Sequence, residues 1–183
     1  IFFSTISTIS AEEIKRIVVG NKDAKITIIA FESLTCSHCA NFHKDVYPEL
    51  KKDYLDTGLA KIEFRHFPLD IAAFNASKVS QCNNDGDSKI LNSLYANQQK
   101  WVKGSSVQEA NENLKKFLVS EGYNVDFEKC INDKEIEDFV LNDRIDAVKK
   151  FKISSTPTII INDEKFEKTL NYKNLKKALE KLI

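Results

Sequence analysis

The chain has 183 residues, in which 27 Lys and Arg balance 27 Asp and Glu, so the formal net charge is zero. This length suffices for one domain with a core, or for one domain that carries a large insertion. The neutral balance excludes a basic surface for nucleic acid, and no apolar run approaches the roughly twenty residues that a transmembrane helix needs.

The N-terminal residues predict an arm that is followed by a short helix. The chain begins at Ile1 and contains no methionine, so we expect that a preceding segment has been removed by processing or by cloning. Residues 1–10 are rich in Ser, Thr and Ile, which is typical of a linker. Ser10 to Glu13 has the form of a capping box and predicts a helix through Val18.

The next two elements predict a buried strand that leads into a helix. Residues 25–31 are β-branched and apolar, which favours a strand buried on both faces. Between Ala40 and Leu55 apolar residues recur at helical spacing. Pro48 within this second segment predicts a kink.

The motif Cys36-Ser37-His38-Cys39 lies where this strand should turn into the helix. Cys36 is therefore expected at the helix N-terminus, where free N–H groups and the helix dipole favour negative charge. A thiol in this position loses its proton more easily, and the thiolate is the reactive species. The motif thus predicts a redox active site, with Cys39 as the more buried, resolving thiol.

A zinc site is the alternative interpretation of the same motif, because the spacing also occurs in half of many zinc sites. His38 and His43 could complete four ligands with the two cysteines. Both pairs would crowd into one and a half helical turns, however, whereas structural zinc sites usually take their second pair from a separate loop. We therefore expect no metal and no other cofactor.

Beyond the motif, the pattern predicts a strand, a long helical block and a closing β-β-α unit. Residues 61–67 alternate apolar and polar side chains, as in a half-buried strand. From Ile71 to Phe151 the pattern is helical almost throughout. The predicted elements that follow are a strand at residues 158–161, a partner strand at 165–169 and an amphipathic helix at 174–183.

This order resembles a thioredoxin fold interrupted by an inserted helical domain, as in the DsbA-like family of exported thiol:disulfide oxidoreductases. The resemblance covers most of the chain beyond Val18 and is specific in its combination of Cys-x-x-Cys with Thr-Pro. It is carried by four stretches: residues 19–24 leading through Phe31 to Cys36, residues 64–69, Gln98 and Trp101 within residues 94–101, and residues 155–158.

The resemblance implies an α/β fold and a division of the chain. Residues 1–18 would form the arm and short helix. Residues 19–70 and 151–183 would form the thioredoxin-like domain, and residues 71–150 the helical insertion.

The resemblance also implies roles for residues around the cysteines. The Thr156–Pro157 bond is expected to be cis and to face Cys36, although a proline at the first residue of a strand would also explain Pro157. His38 would stabilise the Cys36 thiolate unless it is an ordinary exposed helix residue. Ser37 stands where the best-known oxidants of the family have proline, so it is expected to tune the redox potential.

Two further positions depend on the resemblance. Many thioredoxin-fold proteins keep a buried acid six residues before the nucleophile, where this chain has Ala30. Glu32 would supply that proton-transferring carboxylate unless it is a strand-end residue that faces solvent. Cys82 and Cys130 are either buried free thiols or a structural disulfide, and an exported redox protein favours the disulfide.

The function implied is that of a monomeric, exported dithiol oxidase that passes its Cys36–Cys39 disulfide to newly secreted proteins. Its partners would be unfolded or partly folded proteins with free thiols, and a membrane quinone-linked protein that reoxidises it. We expect a periplasmic or otherwise extracytoplasmic location and no nucleic-acid partner. The alternatives are an isomerase or reductase with the same site, and a non-catalytic chaperone or metal-binding module.

Overall fold

A five-stranded mixed sheet forms the centre of the protein, which we describe from a computed structural model for residues 13–183. The strand order is β1-β3-β2-β4-β5. Strands β2 and β3 are parallel, and the other neighbouring pairs are antiparallel. The strands are β1 (Val18–Gly20), β2 (Ile26–Glu32), β3 (Ala60–His66), β4 (Thr158–Ile161) and β5 (Glu164–Lys165).

Strand β2 occupies the middle of the sheet because its side chains are apolar on both faces. Ile28, Ala30 and Phe31 are all fully buried. Ala30 lies opposite Phe64 of β3 on one side and Ile159 of β4 on the other. A strand of this kind needs cover on both faces of the sheet, and the helices provide it.

Nine α-helices surround the sheet within the described residues, six of them between β3 and β4. This arrangement confirms the predicted thioredoxin-like α/β fold with a helical insertion. The helices are α1 (Ser37–Asp45), α2 (Tyr47–Leu50), α3 (Ile71–Gln81), α4 (Lys89–Ala96), α5 (Gln98–Trp101), α6 (Val107–Ser120), α7 (Phe127–Asn132), α8 (Lys134–Phe151) and α9 (Tyr172–Leu179).

The inserted helices share one hydrophobic core with the active-site side of the sheet. Leu94 and Trp101 are buried in the same cluster as Ile28 of β2 and Phe42 of α1. The indole N–H of Trp101 donates to the carbonyl oxygen of Leu94 over 2.9 Å, which satisfies its one polar atom. Helix α4 packs directly on α1, so the insertion supports the helix that carries the cysteines.

The predicted active-site helix is interrupted. Helix α1 ends at Asp45, Val46 leaves the helical conformation, and α2 begins one residue before Pro48. A π-helical turn, Lys51–Leu55, then completes the segment. Proline lacks the N–H that an uninterrupted helix requires, so the break lies next to the residue that predicted a kink.

The helix predicted to reach Val18 is wrong where the structure describes it. Residues 13–17 are not helical, and Val18–Gly20 forms β1, antiparallel to β3. Ile17 is 1 % exposed and Val18 and Val19 are β-branched, so burial against β3 outweighs the local helix signal. The predicted arm and the start of the capping box lie outside the described residues.

The C-terminal unit is shorter than its pattern predicted. Strand β5 covers two residues, and α9 begins at Tyr172 because the side chain of Asn171 accepts a hydrogen bond from the backbone N–H of Asn174. Leu175 and Leu179 of α9 are fully buried. Between residues 13 and 183 there is no helix with the length and hydrophobicity to cross a membrane.

Candidate active site

Cys36 lies at the N-terminus of α1, at the end of the loop that follows β2. It is the N-cap residue, with extended backbone angles, and its carbonyl oxygen accepts hydrogen bonds from the backbone N–H groups of Cys39 and Ala40. Its thiol is partly exposed and not bonded to another sulfur. The structure thus shows the cysteine pair in its reduced, dithiol form.

The pKa of Cys36 is lowered to about 5, chiefly because the thiol of Cys39 hydrogen-bonds to its sulfur. Partial burial opposes this change. Further hydrogen bonds, including those from the backbone N–H groups of Cys39 and His38, lower the pKa in addition. At neutral pH Cys36 is therefore a thiolate, which is the nucleophilic form.

Cys39 faces the interior and has the opposite character. Its side chain is fully buried, and burial raises the pKa of its thiol far above the usual range. The hydrogen bond to Cys36 and the negative charge of Glu32 act in the same direction. Cys39 is therefore a protonated thiol at neutral pH, held next to a thiolate.

Thr156 and Pro157 face the cysteine pair from the loop before β4. The Thr156–Pro157 peptide bond is cis. The sulfur of Cys36 lies 3.5 Å from the carbonyl oxygen of Thr156. Both residues are partly exposed, so this loop and Cys36 form one accessible surface.

Ser37 and His38 are the first two residues of α1, and both are exposed. The side chain of His38 lines a cavity of about 490 Å³ that lies beside the motif. Thr156 and Pro157 line the same cavity, together with Asn41, Phe42, Asp45, Val46, Leu170, Asn171 and Tyr172. The cavity therefore lies between α1, the Thr-Pro loop and the start of α9.

Glu32 is buried beneath the motif, which excludes the solvent-facing alternative. It is the last residue of β2, and its side chain is 3 % exposed. Its Oε2 atom lies 2.8 Å from Nε2 of His43. From the sequence, His43 is expected to be a structural or surface residue, or a ligand in the alternative zinc site. Its side chain is buried as well and is bonded to Glu32. Glu32 and His43 are eleven residues apart, with a loop and two helical turns between them. No local sequence pattern therefore predicts their contact.

Gln98 is a second residue that the sequence analysis did not connect with the site. Its side-chain amide on α5 donates to the carbonyl oxygens of Leu34, over 2.8 Å, and of Cys36, over 3.1 Å. These carbonyls belong to the loop that positions Cys36. The inserted helices thereby hold the active-site loop directly.

Cys82 and Cys130 are joined in a disulfide, with a Cα–Cα distance of 5.4 Å. The bond connects the C-terminal end of α3 to α7 within the inserted helices. Among residues 13–183, His, Cys, Asp and Glu side chains nowhere form a group of three or more that could hold a metal ion.

A family model described as "Thioredoxin" matches residues 12–181. Among curated proteins, the chain is 28 % identical over 170 residues to a candidate protein-disulfide oxidoreductase of Rickettsia bellii, covering 91 % of this chain and 64 % of that protein. It is 27 % identical over 181 residues to disulfide bond formation protein D of Bacillus subtilis, and the match covers 90 % of this chain and 75 % of that protein. The chain spans between 52 % and 64 % of the length of the rickettsial proteins among them.

Solved structures show the same fold. Alpha-DsbA1 of Wolbachia pipientis superimposes with a TM-score of 0.80 at 29 % identity, over 91 % of this chain and 90 % of that one. BdbD of Bacillus subtilis, in its oxidised form, gives a TM-score of 0.75 at 24 % identity, over 91 % of each chain. At that lower identity the likeness concerns the fold alone.

Proposed function

Because this chain belongs to the thioredoxin family and is DsbA-like, we propose that it is a protein thiol:disulfide oxidoreductase working as an exported dithiol oxidase. In this role it transfers the Cys36–Cys39 disulfide to newly secreted proteins. The observation that carries the proposal is the contrast between an accessible thiolate at Cys36 and a buried, protonated thiol at Cys39. A thiolate that is stable in the reduced protein makes the disulfide a ready donor.

The reaction begins when a substrate thiolate attacks the sulfur of Cys36 in the oxidised protein. The Cys36–Cys39 bond breaks, a mixed disulfide forms at Cys36, and Cys39 leaves and takes up a proton. A second substrate thiolate then attacks the substrate sulfur of the mixed disulfide. Cys36 leaves as the thiolate, the substrate gains its disulfide, and two electrons have passed to the protein.

Glu32 is the group that gives or takes the proton of Cys39. Its carboxyl group is buried beneath the motif and close enough to Cys39 for its charge to raise the pKa of that thiol. A buried thiol needs such a partner because the interior offers no bulk water to accept its proton.

The substrate segment binds in the cavity of about 490 Å³ beside the motif. The backbone of Thr156 would pair with an extended segment, in the manner of strand addition, while Pro157 bounds the approach to Cys36. His38 and Ser37, which lie exposed at the rim, would contact the substrate and tune the redox potential.

The setting proposed for this reaction is extracytoplasmic. The Cys82–Cys130 disulfide supports it, because structural disulfides persist in oxidising compartments. A membrane quinone-linked protein would reoxidise the dithiol, and the protein would work as a monomer on unfolded or partly folded substrates.

The redox equilibrium of Cys36–Cys39 with glutathione tests the direction of transfer. A potential of about −120 mV is expected for a disulfide donor, whereas a value of about −270 mV would make the protein a reductase. The control is Cys36→Ala, which should lose thiol exchange and substrate capture together. Survival of both in that variant would contradict catalysis by this motif.

A further inference from the structure

Glu32 and His43 form a buried pair, of which the reaction described so far involves only Glu32. Glu32 ends β2 and His43 lies on α1, with side chains 3 % and 5 % exposed. Nε2 of His43 and Oε2 of Glu32 are 2.8 Å apart. A carboxylate oxygen at this distance accepts a hydrogen bond from the ring N–H of the imidazole.

Aromatic rings hold the imidazole of His43 in place. The ring of Tyr95 stacks on it, with 4.1 Å between the ring centroids and an interplanar angle of 18°. The ring of Phe64 also stacks on it, with a centroid distance of 5.3 Å and an angle of 30°. The ring of Tyr47 lies 5.3 Å away at a tilt. The imidazole is therefore fixed relative to Glu32 without any other polar contact.

The other titratable groups around His43 do not compete for a proton at neutral pH. Burial raises the pKa of Tyr47 to about 12 and also raises the pKa of Tyr95 well above its usual value, so both hydroxyls stay protonated. From α1 itself, Lys44 contributes an ammonium group at the rim of the neighbouring cavity. Phe64, from β3, contributes no ionisable group.

The pair has one unpartnered polar atom at each end. Oε1 of Glu32 and Nδ1 of His43 are both buried and have no hydrogen-bond partner within the described part of the chain. His43 and Tyr95 also line a cavity of about 690 Å³ between α1 and α4. This cavity is separate from the one beside His38 and the Thr-Pro loop.

We propose that His43 is a positioning residue that holds the carboxylate of Glu32, through a hydrogen bond from its Nε2–H to Oε2, in place to receive the proton of Cys39. This inference rests on the proposed function. When Cys39 attacks the mixed disulfide at Cys36, its proton passes to the carboxylate of Glu32, and the displaced thiolate leaves with the bonding electron pair. In the opposite direction the proton returns to Cys39.

The two stages of glutathione oxidation separate this route from the rest of the chemistry. In the first stage the Cys36 thiolate of the reduced protein attacks oxidised glutathione, which requires no proton from Cys39. In the second stage Cys39 displaces glutathione from Cys36. Acid quenching followed by mass spectrometry measures both rates, because the mixed disulfide has its own mass.

The variants are His43→Gln, which retains a polar partner for Glu32, and His43→Phe, which retains the ring stack. His43→Phe should slow the second stage by roughly tenfold to a hundredfold, since a positioned proton-transfer group contributes on the order of 10²–10⁴. His43→Gln, whose amide N–H can still donate to Glu32, should slow it less. The first stage should keep its wild-type rate, so the mixed disulfide accumulates. The pH dependence of the second stage should change as well, which a purely structural role of His43 would not cause.

Glu32→Gln provides the matched comparison. It should slow the second stage at least as much, and adding His43→Gln to it should have no further effect, because both act on one route. Wild-type second-stage rates and pH profiles in both folded His43 variants would overturn the inference. A wild-type protein that forms no mixed disulfide at all would instead overturn the proposed function, and this inference with it.

Discussion

Cys36 and Cys39 are three residues apart, yet the structure gives their thiols opposite acidities. Cys36 caps a helix and receives hydrogen bonds, whereas Cys39 points into the core one turn later. The largest single contribution to the low pKa of Cys36 comes from the thiol of Cys39 itself. The two residues therefore act as one unit, in which the buried thiol stabilises the exposed thiolate.

Replacing Cys39 tests this dependence at the level of the residue. In the reduced wild-type protein, alkylation of Cys36 by iodoacetamide should show a midpoint at about pH 5. Cys39→Ala removes the hydrogen-bond donor and should raise that midpoint, whereas Cys39→Ser keeps an O–H donor and should stay nearer to wild type. If the alanine variant kept the wild-type midpoint, the backbone N–H groups and the helix dipole would account for the acidity instead.

Individual helices contribute to the site through contacts at long sequence separation. Gln98 of α5 binds the carbonyl oxygen of Cys36, and α4 packs on α1. The disulfide between Cys82 and Cys130 ties α3 to α7 within the insertion. The insertion thus combines a tether on the active-site loop with a covalent bond of its own.

The disulfide should stabilise the protein without taking part in thiol exchange. The double variant Cys82→Ala/Cys130→Ala should lower the free energy of unfolding by about 2–4 kcal/mol, since the bond closes a loop with a sequence separation of 48. Chemical denaturation of both proteins measures this difference. Glutathione exchange at Cys36 should proceed at the wild-type rate in the folded variant, and a loss of exchange would show that the bond also shapes the active site.

At the scale of the whole molecule, Asp143 joins the insertion to the sheet and to the N-terminal segment. Its carboxylate lies on α8, is 3 % exposed, and accepts hydrogen bonds from the backbone N–H of His66 and from Arg16. The side chain of His66 is buried at this junction. Burial lowers its pKa to about 4, with Asp143 acting in the opposite direction.

The protein should therefore lose stability in mild acid. The unfolded chain takes up a proton at His66 below about pH 6.5, whereas the folded chain does so only near pH 4. The contribution of His66 to the free energy of unfolding is constant above that range and falls by roughly 3 kcal/mol as the pH drops through it. His66→Gln cannot take up this proton, so its stability should decline less steeply with pH, as measured by thermal midpoints. Equal slopes for the two proteins would contradict the assignment.

Much of the fold and the centre of the site could be predicted from local patterns. The β-branched run of β2, the helical spacing after Cys39 and the breaks in the insertion each depend on neighbouring residues, and the resemblance added the Thr-Pro loop. The helix predicted up to Val18 was wrong, because the pairing of β1 with β3 involves residues more than forty positions away. Local signals carry no information about such a partner.

The sequence by itself determined that a buried strand leads into a helix headed by Cys36-Ser37-His38-Cys39, because strand burial and helix periodicity are written in consecutive residues. The tertiary structure alone decided that Glu32 faces inward onto His43, and that Gln98 holds the carbonyl of Cys36. These contacts arise where β2, α1 and the inserted helices meet. Their chemistry depends on burial and distance, which exist only once the chain has folded.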